Sequence, residues 1–294
     1  MSGPQTICDL AGIRFTFSPL ALDSLSPYFK LFSSRGGAVS DRCSIRLAGA
    51  NSELCDLQGK GAWQFSMRDG CACLMGANPR GDVLWRMTGK FPYGHLRFEW
   101  HPTAYEAMYH NEELGMYGIV AILALVLRLL PLGGLVIHGS SQVVDGHGVI
   151  CTGPHGRGKT TVSRLFNQCG IPVLTDERPI VRPCDRSGQE AFRVYGSPWP
   201  SLGRFVRNDS VFLKKIYFLE HGPEQEILPL TTREAVMRLL EVTMVPWMDA
   251  AFFDPLIKTM EAVIRSVPHA VLRFRPDITV VDAVRRDLAA SPFH

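Results

Sequence analysis

The chain has 294 residues, of which 46% are hydrophobic and 20% charged, so it can build a sizeable core and is not an intrinsically disordered chain. Its formal net charge of +3 is too small to indicate nucleic-acid binding, and no run of five or more basic residues is present. The eight cysteines lack the paired spacing of a zinc site, so we expect reduced thiols in a cytoplasmic protein.

The first 105 residues consist of short β-type segments separated by turns. Residues 1–10 lack the charged start and apolar block of a signal peptide, so we expect none. Four segments carry the alternating pattern of half-buried strands: residues 13–17, 43–47, 63–67 and 83–87. Turn sequences separate them, so we predict a mostly antiparallel sheet. We assign residues 1–105 as a β-rich N-terminal region for substrate recognition, either a small separate domain or an extension of the sheet that follows.

An apolar stretch at residues 117–131 comes next. Its apolar core is too short to span a bilayer, and Arg128 and Pro131 interrupt its end. Glu112 and Glu113 near its start suit the positive end of a helix dipole. We therefore predict a buried helix packed on a sheet and no membrane association.

Two β-rich runs follow, at residues 135–144 and 148–152, with Asp145-Gly146 between them. Asp-Gly between such runs is a strong hairpin signal, so the two strands should be antiparallel neighbours. The next eight residues, GPHGRGKT at 153–160, fit the phosphate-loop pattern G-x-x-x-x-G-K-[ST] and are called the glycine loop below. Phosphate-loop switches and motors place the preceding strand in a largely parallel array, so an antiparallel partner argues against a GTPase or a motor ATPase.

The glycine loop has the chemistry to hold a nucleotide. Successive backbone N–H groups can curl around a phosphate, and the following helix N-terminus adds its dipole. The Lys159 ammonium would reach the β and γ phosphates, and the Thr160 hydroxyl would bind Mg²⁺. The side chains of His155 and Arg157 are expected to face solvent. The nucleotide-binding residues that we assign are Gly153, Pro154, His155, Gly156, Arg157, Gly158, Lys159, Thr160 and Thr161.

An acidic pair lies one element further along the chain. Residues 160–169 have apolar side chains at helical spacing, and residues 171–175 predict a strand that ends at Asp176 and Glu177. Ligands of open α/β sheets bind at the carboxyl ends of the strands. The two acids are therefore candidates for a metal ligand or for the group that accepts a proton from a substrate hydroxyl. The alternative is a solvated turn.

The rest of the chain continues the alternation of strands and helices. We predict strands at residues 214–219 and 270–274 and helices at residues 254–265 and 278–288. Thr231, followed by Glu234 three positions later, predicts a capped helix start. Trp199 lies between two prolines and either packs against its neighbours or walls a ligand groove. The alternation predicts an α/β fold with a mixed sheet and helices on its faces.

Taken together, these motifs resemble a known family. His138-Gly139, the Asp-Gly hairpin, the glycine loop and the acidic pair resemble the catalytic domain of HPr kinase/phosphorylase, and more closely the smaller HPr kinase-related proteins found beside bacterial peptide-modification genes. Residues 196–200, GSPWP, are similar to the glycine–Thr/Ser–Pro–Trp segment of those related proteins. The resemblance covers about residues 130–285. It implies a P-loop kinase fold akin to ATP-dependent phosphoenolpyruvate carboxykinase, which we assign to residues 106–294.

The same resemblance implies a serine-directed kinase that uses ATP and Mg²⁺. It assigns Lys159 and Thr160 to the nucleotide and the metal, and His138 to the neighbourhood of the transferred phosphate. Glu177 stands where the family has the second aspartate of an Asp-Asp pair, which is the proton acceptor. The longer glutamate reaches differently, so Asp176 shares that role and joins Thr160 as a metal ligand.

One part of the family pattern has no clear counterpart in this chain. The family's later segment contains a metal-binding glutamate and an arginine, and only Arg204 or Arg207 is a candidate for the arginine. The reverse, phosphorylase half of the activity depends on that segment. We therefore expect an ATP-dependent kinase whose acceptor is a serine of a peptide or protein, and we leave a homo-oligomer open. The alternatives are a small-molecule kinase of the same fold and a nucleotide-binding module without transfer chemistry.

Overall fold

The computed structural model describes residues 4–20, 26–34, 36–56, 63–103, 115–186, 188–244 and 252–290. The chain forms two compact units. The first comprises Met1–Pro131 with Val245–Asp254, and the second comprises Leu132–Met244 with Pro255–His294. Each unit contains its own sheet, so the N-terminal strands do not extend the second sheet.

The first unit is built on a seven-stranded sheet with the order β1-β2-β3-β7-β6-β5-β4. Strand β3 pairs in parallel with β2 and β7, and all other neighbours are antiparallel, so the prediction of a mostly antiparallel sheet is confirmed. All four predicted segments lie in strands of this sheet. The strands are β1 (Thr6–Leu10), β2 (Ile13–Ser18), β3 (Asp41–Ala50), β4 (Trp63–Arg68), β5 (Cys71–Ala77), β6 (Val83–Lys90) and β7 (His95–Trp100).

Alternation of side chains explains why these segments form strands. In β2 the side chains of Ile13, Phe15 and Phe17 are buried and the residues between them are partly exposed. The tight turn between β4 and β5 uses Asp69 at φ +49° and Gly70 at φ +70°. Positive φ at both central residues is the geometry of a two-residue hairpin turn, which favours Asp-Gly.

Two helices of the first unit are α1 (Pro27–Lys30) and α2 (Gly115–Leu129). Helix α2 is the helix expected from the apolar stretch, and Glu112 and Glu113 lie outside the described residues. Its Arg128 guanidinium lies 3.2 Å from the Asp41 carboxylate and donates to the Pro92 carbonyl at 2.8 Å. These contacts explain why α2 belongs to the first unit, so the division of the chain falls at Pro131 and not at the expected residue 105.

Within the described residues, the second unit contains nine strands and most of the helices. The strands are β8 (Leu135–Val136), β9 (Gly139–Val144), β10 (His147–Thr152), β11 (Val173–Thr175), β12 (Ile180–Arg186), β13 (Gln189–Tyr195), β14 (Ser210–His221), β15 (Glu226–Leu228) and β16 (His269–Phe274). The helices are α3 (Lys159–Gln168), α4 (Thr232–Val242), α5 (Phe253–Ser266) and α6 (Thr279–Ala290). Every element predicted after residue 135 is present, although the hairpin of β12 and β13 and the short strand β15 were not predicted.

Strand β14 organises the second sheet because it pairs with three strands. It is parallel to β10 and β16 and antiparallel to β13. One branch of the sheet runs β11-β9-β10-β14-β16-β15, and the other runs β14-β13-β12-β8. Strands β9 and β10 form the predicted antiparallel hairpin, with Asp145 at φ +49° and Gly146 at φ +80° in its turn. The unit is therefore an α/β fold with a mixed sheet.

Helices α3 and α6 cover one face of this sheet. Their apolar side chains, among them Phe166 and Val284, pack with Tyr217 and Leu272 of the central strands into one buried cluster. Full burial of each such side chain contributes roughly 1.5–3 kcal/mol, so this layer fixes α3 and the loop that precedes it. Helix α4 begins with the predicted capping box, in which the Thr231 hydroxyl accepts from the Glu234 amide and the Glu234 carboxylate accepts from the Thr231 amide.

No helix in the described part of the chain is long and apolar enough to cross a membrane.

Candidate functional site

The glycine loop joins β10, which ends at Thr152, to α3, which begins at Lys159. This is the strand–loop–helix order that the motif requires. Gly156 and Gly158 have φ values of +83° and +88°, which is the left-handed region that favours glycine. A Cβ atom on residue 158 would lie 2.7 Å from Cζ of Phe274, so a side chain is excluded there by both backbone and space.

Lys159 folds back over the start of the loop. Its Nζ donates to the Gly153 carbonyl at 2.7 Å and to the Pro154 carbonyl at 2.9 Å, and the residue is only 7% exposed. Burial lowers the pKa of the ammonium, and the negative charge of Glu177 acts in the opposite direction. The Lys159 ammonium is therefore held at the start of the glycine loop by two neutral carbonyls, and the negative charge of Glu177 acts on it.

His138 and Glu177 form a pair beside the loop. Nδ1 of His138 lies 3.3 Å from Oε1 of Glu177, and the two side chains are 33% and 18% exposed. The backbone holds both residues: the Gly139 amide donates to the Glu177 carbonyl at 3.0 Å, and the Thr152 hydroxyl donates to the His138 carbonyl at 2.8 Å. His138 is thus fixed beside the end of the strand that leads into the loop, as the hairpin predicted.

Glu177 is kept ionised by its surroundings. Burial alone would raise the pKa of this carboxyl, but the hydrogen bond to His138, the charge of His138 and the nearby Arg178 together hold the pKa below its usual value. The guanidinium of Arg178 lies 3.7 Å from Oε1 of Glu177. The carboxylate is therefore available as a hydrogen-bond acceptor at neutral pH, in a site that is largely shielded from water.

Asp176 has a different environment from its neighbour. It has no exposed surface, and its two carboxylate oxygens accept from the backbone amides of Ser201 at 3.0 Å and Gly203 at 2.7 Å. Burial raises the pKa of Asp176, although both amides oppose that shift. The side chain anchors the turn at residues 201–203. The acidic pair is not the solvated turn of the alternative interpretation, but its two carboxylates have separate partners.

The remaining predicted residues lie in the glycine loop, in the first turn of α3 and in the segment around the turn at residues 201–203. Pro154, His155, Gly156 and Arg157 are exposed, and Thr160 and Thr161 are partly exposed in the first turn of α3. Trp199 is fully buried, which agrees with packing and not with a groove wall. Arg204 and Arg207 are exposed. Over the described ranges of the chain, no group of three or more histidine, cysteine, aspartate or glutamate residues is arranged to hold a metal ion.

A cavity of about 260 Å³ adjoins the glycine loop and was not predicted. Its walls come from the loop, from the end of β14 and from α4: Gly153, Pro154, Arg157, Phe218, Leu219, Glu220, Arg238 and Glu241. His221, the last residue of β14, also reaches the loop, with Nε2 2.9 Å from the Gly156 carbonyl oxygen. The parallel pairing of β14 with β10 brings the end of β14 to the loop, and no local sequence signal marks that pairing.

The fold and this site define a class of protein: an α/β protein with a mixed sheet, in which a glycine loop joins a central strand to a helix beside a half-buried histidine–glutamate pair. A sequence profile of the family described as "SynChlorMet cassette protein ScmC" matches residues 109–267, which is more than half of the chain. The protein therefore belongs to the ScmC family.

Other comparisons are more distant. No curated protein matches this chain significantly. Among solved structures, the Hpr(Ser) kinase/phosphatase from Coxiella burnetii is similar at 12% sequence identity, over 53% of this chain and 97% of that chain, with a TM-score of 0.29.

Proposed function

We propose that this protein is an ATP-dependent kinase that transfers the γ-phosphate of ATP to a hydroxyl group, with a serine of a peptide or protein as the acceptor. One observation carries the proposal. The Thr152 hydroxyl, at the end of the strand that leads into the glycine loop, donates to the His138 carbonyl at 2.8 Å, and Nδ1 of His138 lies 3.3 Å from Oε1 of Glu177. The glycine loop and a shielded carboxylate are therefore next to each other, which supports a role of the first in phosphate binding and of the second in proton transfer.

The donor would bind through the glycine loop. The triphosphate would lie on the backbone amides of residues 153–160 and at the N-terminus of α3, where the helix dipole favours negative charge. The carbonyls that now accept from Lys159 are neutral, and phosphate oxygens are stronger acceptors for an ammonium. Lys159 would therefore turn from the loop carbonyls to the β and γ phosphates when ATP binds.

Magnesium would bind mainly through ATP. Mg²⁺ is usually held by one or two protein groups, several waters and substrate phosphates, and not by an all-protein cage. The partly exposed Thr160 hydroxyl fits that role, whereas the Asp176 oxygens already accept two backbone amides beneath the surface. The ion would neutralise charge that develops on the transferred phosphoryl group. Asp176 would contribute only if the turn at residues 201–203 moved.

The acceptor hydroxyl would give its proton to Glu177. Its lowered pKa keeps the carboxylate ionised, and its burial strengthens a hydrogen bond to an incoming serine. His138 orients Glu177 and lies at the side of the loop where the γ-phosphate would end. Catalysis would then come from alignment and electrostatic stabilisation, without a covalent enzyme intermediate. The serine acceptor follows from the motif resemblance to HPr kinase-related proteins.

The proposal is tested by incubating the protein with γ-labelled ATP, Mg²⁺ and serine-containing peptides, and by following label on intact peptides by mass spectrometry. Lys159→Ala should abolish transfer, and Glu177→Gln should reduce it at least about 100-fold, which is the lower range for general acid–base catalysis. The matched controls remove the same two types of side chain from exposed positions of α5: Lys258→Ala and Glu261→Gln should both retain activity. Retained transfer in either site variant would refute the assigned roles.

A nucleotide-binding module without transfer chemistry is the second candidate. The observation in its favour is that both oxygens of Asp176 are already occupied by backbone amides. Binding of ATP with Mg²⁺ or Mn²⁺, and no label on any peptide or small-molecule acceptor, would favour this function. Label on metabolites but not on peptides would instead identify a small-molecule kinase.

A further inference from the structure

The cavity beside the glycine loop lies between the loop and helix α4. Pro154 and Arg157 bound it on the loop side, the last residues of β14 form its base, and Arg238 and Glu241 of α4 face it from the other side. The cavity lies wholly within the second unit. Its volume of about 260 Å³ is slightly below the ~300–1,000 Å³ of pockets that hold whole drug-sized ligands. It has room for one ring system and a sugar, but not for a folded peptide segment.

The order of the strands puts this cavity and the histidine–glutamate pair on opposite sides of the loop strand. In the sequence β11-β9-β10-β14, Glu177 follows β11 and His138 precedes β9, whereas the cavity is walled by the end of β14. A ligand that lies along the glycine loop therefore has one end at Glu177 and the other end at the cavity. The γ-phosphate belongs at the first end in the proposed reaction.

Helix α4 connects the two ends. Its Arg238 guanidinium lies 2.8 Å from the Glu220 carboxylate at the β14 side, and its Val242 carbonyl accepts from the His138 amide at 2.6 Å. Glu241 lies between these two contacts and is exposed. The last turn of α4 thus spans the space between the cavity and the histidine–glutamate pair.

The chemistry of the cavity walls suits a nucleoside. Phe218 gives it an apolar base, and a carboxylate in the position of Glu241 can accept hydrogen bonds from the two hydroxyls of a ribose. The neighbouring Glu220 is already engaged by Arg238, so Glu241 is the acid with free capacity for a ligand. An apolar base with a few polar groups at the rim is the common form of a small-molecule site.

We infer that this cavity binds the nucleoside of the donor nucleotide, with Glu241 holding the ribose hydroxyls and the polyphosphate running along the glycine loop towards Glu177. The inference rests on the proposed function, because it assigns the far end of the same ligand. It makes Glu241 a residue that selects nucleotides with an intact ribose, and it places the acceptor peptide on the other side of the loop.

The test compares three ligands by isothermal titration calorimetry in the presence of Mg²⁺: ATP, 2′,3′-dideoxy-ATP and inorganic tripolyphosphate. The variants are the full-length wild type, Glu241→Ala and the matched control Glu261→Ala on α5. The wild type should bind ATP at least about tenfold more tightly than either other ligand, as a hydrogen bond to a charged group implies. Glu241→Ala should bind ATP and dideoxy-ATP equally, with unchanged affinity for tripolyphosphate. Glu261→Ala should behave as the wild type.

Each other outcome is decisive. If the wild type binds ATP no more tightly than tripolyphosphate or dideoxy-ATP, or if Glu241→Ala keeps the preference for ATP over dideoxy-ATP, the inference is wrong while the proposed kinase function stands. If neither ATP nor tripolyphosphate binds to the wild type, the proposed function fails and the inference fails with it.

Discussion

Replacement of Gly158 by alanine tests the geometry of the glycine loop with a built-in control. Gly158 and Gly156 have similar left-handed φ values, +88° and +83°. An added Cβ would meet Phe274 at 2.7 Å at residue 158, whereas nothing lies within 4 Å at residue 156. The two substitutions therefore share the backbone strain and differ in the steric clash.

The strain and the clash have separate magnitudes. A non-glycine residue in the left-handed region costs about 1–2 kcal/mol, so we expect Gly156→Ala to lower the free energy of unfolding by that amount. Overpacking a close-packed site costs typically about 1–3 kcal/mol more. Gly158→Ala should therefore destabilise the second unit by roughly 2–5 kcal/mol.

The assay needs a probe that reports the second unit alone, because a chain of two units need not unfold in one step. Trp199 is the one tryptophan in the sequence of that unit, so the chain labelled with 5-fluorotryptophan gives one ¹⁹F resonance for it. Urea unfolding followed on this resonance gives the free energy for each variant. Phe274→Leu, combined with Gly158→Ala, should be less destabilising than the sum of the two single changes. Equal destabilisation by the two glycine substitutions, or strict additivity with Phe274→Leu, would refute the clash.

Three further predictions concern buried charges. Asp287→Asn removes the charged partner of Lys215, whose Nζ lies 2.6 Å from the Asp287 carboxylate. It should lower the free energy of unfolding in urea by about 3 kcal/mol, and adding Lys215→Met should recover most of that loss. Asp176→Asn replaces an oxygen that accepts a backbone amide by a donor, so the second unit should lose about 1.5–3 kcal/mol, with faster hydrogen exchange in the turn at residues 201–203. The lowered pKa of Glu177 gives a stabilisation that is present above its usual pKa of about 4.5 and is lost as the pH falls through the folded value. His138→Ala should raise the Glu177 pKa in carboxyl ¹³C NMR titrations, and an unchanged pKa would contradict the pairing.

Local features of the second unit could be predicted because each depends on a few neighbouring residues. The hairpin turn at Asp145 and Gly146 requires positive φ at both positions, and Asp-Gly tolerates that geometry. The capping box at Thr231 and Glu234 satisfies two backbone donors within one turn of helix. The glycine loop carries its own backbone requirement in its spacing. In each of these three cases, the residues of the sequence motif themselves form the structural feature.

Features that depend on distant partners could not be predicted in the same way. The alternating pattern of β3 predicts a strand, but it does not reveal that both neighbours of β3 run parallel to it. The apolar pattern of α2 predicts a buried helix but does not show which sheet the helix packs against. The boundary between the units was therefore expected at residue 105, before α2, whereas it falls at Pro131. The adjacent acids Asp176 and Glu177 look equivalent in sequence. They differ because the turn at residues 201–203 supplies amides to one of them and His138 faces the other.

The difference between local and distant contacts also explains why His138 and Glu177 were singled out in the sequence and the cavity was not. His138 is separated from the loop by one hairpin, and the hairpin's register fixes the distance between them. Glu241 lines the cavity beside the loop because β14 pairs in parallel with β10, and because the chain then returns through α4, whose Val242 carbonyl accepts from the His138 amide. Parallel pairing requires a crossover and carries no signal in the strand itself. Sequence reasoning therefore finds the residues that a hairpin brings to the loop, here His138. It misses the residues that a crossover brings there, here the cavity walls with Glu241.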